Sequence, residues 1–102
     1  MSDQSVQKIS PQSEQRRQTA VLHEDVCRAF GSVLKAARTR SGLSQQKLAE
    51  GAGADRSYLS MLERGLQQPT LTMLLRIAVA LRMRPEQLVT DMQAAMPKRE
   101  GI

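Results

Sequence analysis

Apolar side chains recur at three- and four-residue steps along most of this chain, the period of an amphipathic helix. Leu22, Val26, Phe30, Val33, Leu34 and Ala37 fall on one face and predict a first helix that ends near Arg40, ahead of Ser41 and Gly42. Ser44 is placed to cap a second helix, SQQKLAEGA, with Leu48 and Ala49 inward and Gly53 marking its end. Gly51 inside it costs about 1 kcal/mol relative to Ala, so this short helix has to be held by packing. Asp55 is the expected cap of a third helix, RSYLSMLER, with Leu59 and Leu62 toward the core and Gly65 stopping it. Thr70 caps a fourth, in which Leu71, Leu74, Leu75, Ala78 and Leu81 form a wide apolar stripe expected to be buried at nearly every turn. Pro85 suits the first position of a fifth, where Leu88, Val89, Met92 and Met96 continue one stripe until Pro97 stops it.

The polar flanks set the expected boundaries. Residues 1–21 form a flexible or partly helical N-terminal extension, 22–96 the folded domain, and 97–102 a tail. In the first 18 residues only Val6 and Ile9 are large and apolar, too little to bury a core. Aromatic residues make up 2 % of the chain, so the core is aliphatic, and with few strand-favouring residues the fold class is all-α. A chain of 102 residues has room for one domain and is small enough that a partner subunit would help to stabilise it.

Charge and reactive residues narrow the chemistry. A formal charge of +5 and a pI near 10.1 suit a polyanionic partner. The single cysteine, Cys27, lies in the apolar pattern and reads as a small buried hydrophobe. His23 is the lone histidine, the carboxylates form no paired constellation and no glycine-rich phosphate loop is present. We therefore expect no enzyme, no cofactor and no metal. No apolar leader follows Met1 and no stretch suits a membrane, so the expected home is the cytoplasm, with nucleoid association when the protein is on DNA.

Two short helices joined through Ala52-Gly53-Ala54-Asp55 in a basic all-α domain make a helix-turn-helix, spanning residues 44–65. In that motif the first helix lies across the DNA backbone and the second enters the major groove. Small residues at Ala49, Ala52 and Gly53 let the two helices approach. From Phe30 to about Val89 the chain resembles the Cro and repressor-like helix-turn-helix proteins, the Xre family. The likeness is carried by Phe30-Gly31, Arg38, Gly42-Leu43-Ser44-Gln45, Leu48-Ala49, Tyr58-Leu59-Ser60, Leu62-Glu63-Arg64-Gly65, Pro69-Thr70-Leu71 and Leu74-Leu75, with further apolar positions through Leu88.

The resemblance implies a five-helix, lambda-repressor-like DNA-binding domain and assigns roles. Gln45 would contact a phosphate at a helix N-terminus. Arg56 and Ser57, with Ser60 and Met61 one turn on, would read bases in double-stranded DNA. Tyr58, Arg64, Gln67 and Gln68 would touch sugar and phosphate. Arg38 and Glu63 would form a partly buried structural ion pair. Against these stand plainer roles: Arg56 as a solvated charge, Ser57 and Ser60 as tolerant surface residues, Met61 in a local cluster, Tyr58 with its ring on the core edge. Two positions depart from the family pattern: Arg82, where a helix-ending Gly is usual, and Arg84, where Ser or Asp normally caps.

The stripe Leu88, Val89, Met92 and Met96 either supplies a homodimer interface or docks on Leu22 and Val26 of its own chain. The expected function is a transcriptional regulator, a repressor or autoregulator, binding a pseudo-palindromic operator as a dimer. Asp55-Arg56-Ser57-Tyr58-Leu59-Ser60 also looks like the recognition helix of restriction-modification controller proteins. The competing class is an antitoxin-type module that binds a protein partner through its N-terminal extension and autoregulates through the helix-turn-helix.

Overall fold

The helical period that becomes visible at Leu22 belongs to a helix that begins at Pro11. In the computed structural model, which describes residues 11–98, α1 spans Pro11–Arg40, α2 Gln45–Ala52, α3 Arg56–Glu63, α4 Leu71–Leu81 and α5 Pro85–Ala95. Parts of the expected extension and tail, 1–10 and 99–102, lie outside the described residues. Pro11 suits the start of a helix because the N–H it lacks would have no intrahelical acceptor there, and Glu14 in the first turn complements the helix dipole. At 30 residues α1 is roughly 45 Å long. From Gln12 to Ala20 it is almost wholly exposed. Those turns extend a helix already nucleated by its packed half, so each residue adds a hydrogen bond without a nucleation cost. A surface ion pair between Glu14 and Arg17 adds to them.

The other boundaries follow their local signals. The Ser44 hydroxyl accepts the Lys47 N–H at 3.0 Å, and Thr70 accepts that of Met73 at 3.0 Å. Asp55 has the extended backbone of a cap, but its side chain makes no capping bond. Gly53 closes α2 in the left-handed region at φ 70°. The core joins Phe30, Leu34 and Ala37 of α1 to Leu48 and Ala49, Leu59 and Leu62, Ile77, Ala78 and Leu81, and Leu88. Tyr58 packs on its edge, and Cys27, one turn before Phe30 on α1, is buried as well. α3 and α5 both pack on α1, and α4 packs on α2.

Two stripes differ from the sequence expectation, in opposite directions. Leu88 is 0 % exposed and belongs to the core of its own chain, which corrects its assignment to a subunit interface: it has no surface left to offer. Met92 packs against that core, and Met96 lines a groove with Leu22 and Val26, so much of the α5 stripe is used inside the chain. Val89, at 36 %, is its outer edge. In α4 the inward side is filled by Leu74, Ile77, Ala78 and Leu81. Leu71 and Leu75, expected to be buried, are 80 % and 53 % exposed, because an apolar band this wide exceeds the arc that α2 covers.

Two backbone positions carry specific demands. A Cβ at Gly31 would run into the backbone carbonyl oxygens of Leu62 and Glu63, so this glycine permits α1 to meet the end of α3. Arg82, closing α4, is held at φ 57°, a conformation that L side chains resist. Gly31→Ala is expected to lower stability by about 1–2 kcal/mol despite the better helix propensity of Ala, because overlap with a carbonyl forces the helices apart. Arg82→Gly should raise it by about 0.5–1 kcal/mol, relief of the left-handed strain exceeding the added unfolded-state entropy. Urea denaturation of each variant measures both, and a stabilised Gly31→Ala would show that the helices have room there.

Candidate nucleic-acid interface

α2 and α3 are eight residues each, too short to persist alone, and their relative placement depends on what ties them down. Packing supplies one part: Ala49 and Ala52 are buried at the turn, and Leu59 and Leu62 are fully buried under α3. Directional bonds supply the rest. Arg38 donates to the Glu63 carboxylate through Nε at 2.5 Å and Nη2 at 3.0 Å, and through Nη1 to the Leu43 carbonyl at 2.8 Å. Gln45, first residue of α2, donates its side-chain amide to Glu63 Oε1 at 3.0 Å. The Arg38–Glu63 pair thus joins the end of α1, the loop before α2, the start of α2 and the end of α3. The Arg38–Glu63 ion pair expected from sequence is present, with side chains 15 % and 3 % exposed.

Burial pushes the Glu63 carboxyl up, but hydrogen bonds from Arg38 and Gln45, with the charges of Arg38 and Lys35, reverse the effect and hold it below its ordinary value of 4.5. Hydrogen bonding to Glu63 holds the Arg38 guanidinium still more firmly protonated. The network is a charged, hydrogen-bonded joint at neutral pH.

The outward side of α3 is assembled differently. Arg56 and Ser57 are exposed, and Arg56 has no ion pair among the described residues, including none with the adjacent Asp55. Ser60 and Met61 are half-buried one turn further along. The Met61 sulfur accepts from the Gln67 amide at 3.5 Å, which draws the expected base-reading Met61 and the expected backbone-contacting Gln67 into one local cluster. Tyr58 lies half-buried, its hydroxyl pushed up in pKa by burial, so the core-edge role of its ring is realised. Arg64 is exposed at the C-cap of α3.

Gln68 is exposed but tethered: its side-chain amide donates to Nδ1 of His23 at 3.1 Å, pinning the loop after α3 to α1. That tether was not legible in the sequence, since the two residues are 45 positions apart and His23 carries no motif. At the N-terminus of α2 the Ser44 hydroxyl takes the Lys47 N–H and its carbonyl takes that of Leu48. The N–H groups of Gln45 and Gln46 remain at the positive end of the helix dipole. Of the expected dimer residues, Leu88 is internal, and Val89, Met92 and Met96 lie away from this face on α5.

The helix-turn-helix family model matches residues 34–88, more than half of the chain. The chain belongs to the Xre-type helix-turn-helix family. It is 36 % identical over 66 residues to an HTH-type transcriptional regulator of Sinorhizobium fredii, covering 65 % of this chain and 86 % of that protein. An HTH-type transcriptional regulator of Mycobacterium tuberculosis is 41 % identical over 58 residues, 57 % of this chain and 41 % of its own length. The Escherichia coli regulator SutR is 31 % identical over 74 residues, 72 % of this chain and 42 % of its own. The chain therefore spans about two fifths of the length of these last two relatives.

Among solved structures, the restriction-modification controller protein C.AhdI of Aeromonas hydrophila is 42 % identical with a TM-score of 0.60, over 63 % of this chain and 96 % of that one. The clp gene regulator ClgR of Corynebacterium glutamicum is 26 % identical with a TM-score of 0.68, over 72 % and 96 %. The five-helix, strand-free architecture of the described residues is that of the family.

Because Glu63 is held below its ordinary pKa, its contribution to this Xre-type domain is complete above about pH 4.5 and is lost as pH falls through the lower folded-state value. Urea midpoints across the acid range are expected to fall for the natural protein and to be flatter for Glu63→Gln. That variant should also be roughly 2–3 kcal/mol less stable near neutral pH, where it leaves Arg38 without a charged partner. A Glu63→Gln protein that kept the full acid-side fall would place it on another carboxylate.

Proposed function

We propose that the chain regulates transcription by binding a pseudo-palindromic operator in double-stranded DNA as a homodimer, acting by binding rather than by catalysis. The observation that carries this reading is the contrast along α3. Its inner side and C-terminal end are locked by Leu59, Leu62 and the Arg38–Glu63 pair, whereas Arg56 and Ser57 at its N-terminal end are exposed. A recognition helix has to be rigid at its base and unencumbered where it meets base edges. In this reading Arg56 takes guanine O6 and N7, Ser57 and Ser60 make adaptable contacts, and Met61 lies against a thymine methyl. Gln45 and the α2 N-terminus hold a phosphate, with Tyr58, Arg64 and the Gln67–Gln68 loop along the backbone.

A two-fold arrangement places the two α3 helices in successive major grooves, with half-sites about 34 Å apart on one face of the duplex. Occlusion of a promoter is the simplest outcome of such binding, and similarity to restriction-modification controller proteins favours control of the protein's own operon. Among the described residues no helix is long and apolar enough to cross a membrane.

Selection of bound DNA from a random pool, followed by titration of the enriched site at several salt concentrations, is expected to return an inverted repeat. Arg56→Ala should relax preference at one position per half-site and cost about 1–3 kcal/mol. Gln45→Ala should weaken all sequences alike and reduce the salt slope. Failure to enrich any sequence would refute specific regulation, and a position-specific loss at Gln45→Ala would remove its phosphate role.

A further inference from the structure

Among the described residues, three of the five exposed large hydrophobics lie on the outer face of α4: Leu71 at 80 %, Leu75 at 53 % and Val79 at 75 %. They stand at i, i+4 and i+8 of an 11-residue helix, so they form one ridge along it. Contiguous apolar surface of this kind on a small soluble domain marks an interaction site. Beside the ridge runs a shallow trough in which Gly51 and Gly53 of the helix-turn-helix meet Leu75 and Val79, with Glu50 and Arg76 also lining it. A Cβ at Gly51 would stand 3.1 Å from the Ala80 Cβ and one at Gly53 would meet Arg76 Nη1, so these glycines let α2 pack closely on α4 and keep the trough floor low.

Resting on the homodimeric reading above, we propose that this α4 face, and not α5, is the subunit interface, occupied by a second copy of the same chain. The face is self-complementary. Ridge and trough lie side by side, and a two-fold axis places each copy's ridge in the other's trough. The patch also carries one acid and one base, so the same axis brings Arg76 of each copy toward Glu50 of the other. An apolar ridge offers nothing to a phosphate backbone, which leaves DNA to α3. On α5 the comparable stripe is spent: Leu88 is internal and Val89 only 36 % exposed. Three side chains alone fall short of the roughly 800 Å² per partner of a standard interface, so the trough must contribute its share. Since the trough includes Gly53, the turn of the motif itself, no flexible joint separates the interface from the reading helix.

Sedimentation equilibrium on the full chain tests this, with far-UV circular dichroism to verify helicity and enriched-pool DNA binding measured in parallel. Leu75→Gln/Val79→Gln changes exposed residues without altering charge and is expected to weaken dimerisation at least about tenfold. Val89→Gln, on the exposed edge of α5, should leave the dimer intact. Glu50→Arg and Arg76→Glu should each weaken the dimer, and their combination should recover it to within about threefold. A dimer that survives Leu75→Gln/Val79→Gln but dissociates with Val89→Gln moves the interface to α5 and overturns the inference while sparing operator binding. A natural chain that stays monomeric yet enriches a DNA sequence overturns dimerisation alone. A chain that neither dimerises nor enriches DNA refutes the functional reading itself.

Discussion

The bond between Arg38 and Glu63 is the constraint on which the helix-turn-helix unit depends. Hydrophobic burial is non-directional and holds two eight-residue helices against a core without fixing their angle. The guanidinium does fix it, through two contacts to one carboxylate and a third to the Leu43 carbonyl. Replacing such a buried pair with apolar residues is often neutral for stability, so its value here is geometric. Gln45 enters the same carboxylate, and the start of α2 is thereby coupled to the end of α3 through a single side chain. The absent Cβ of Gly31 completes the joint, because α1 can approach the Leu62 and Glu63 carbonyls only without it.

What could be read from the sequence was what local chemistry decides. Ser44, Thr70 and Pro85 mark helix starts because an N-terminal turn has unpaired N–H groups that a hydroxyl can accept from or a proline can do without. Gly53 marks an end because it enters the left-handed region freely. The start of α1 gave no such signal. Gln12 to Ala20 are almost wholly exposed, so no apolar period betrays them, and their helicity is inherited from the packed turns that follow. Arg82 shows the reverse case, where tertiary packing imposes a left-handed closure on a residue that resists it.

Periodicity says that a helix has an apolar face but not which neighbour covers it. That is why Leu88 and the pair Leu71 and Leu75 exchanged places between expectation and structure. A helix of 11 residues can present apolar side chains over more of its circumference than one neighbour covers, and only the assembled fold shows which arc is left in water. The bond from Gln68 to His23 was hidden for a related reason, since a contact between a loop amide and a distant helix leaves no mark on the spacing of either segment.

The site itself divides along the same line. Family resemblance carried Arg38, Glu63 and Gln45 because their roles follow from fixed positions in a shared frame. It could not say that Gln45 would be bonded to Glu63, that Met61 would take a bond from Gln67, or that Gln68 would be tethered. These three side chains already have partners, so any contact they make with another molecule has to be added to those bonds or replace them. Among the described residues Arg56 and Ser57 have no such competition at the tip of α3. Free donors at the tip over a bonded base give a helix that can exchange water for a ligand's polar edge without disturbing what orients it, the arrangement in which a small number of exposed side chains can discriminate.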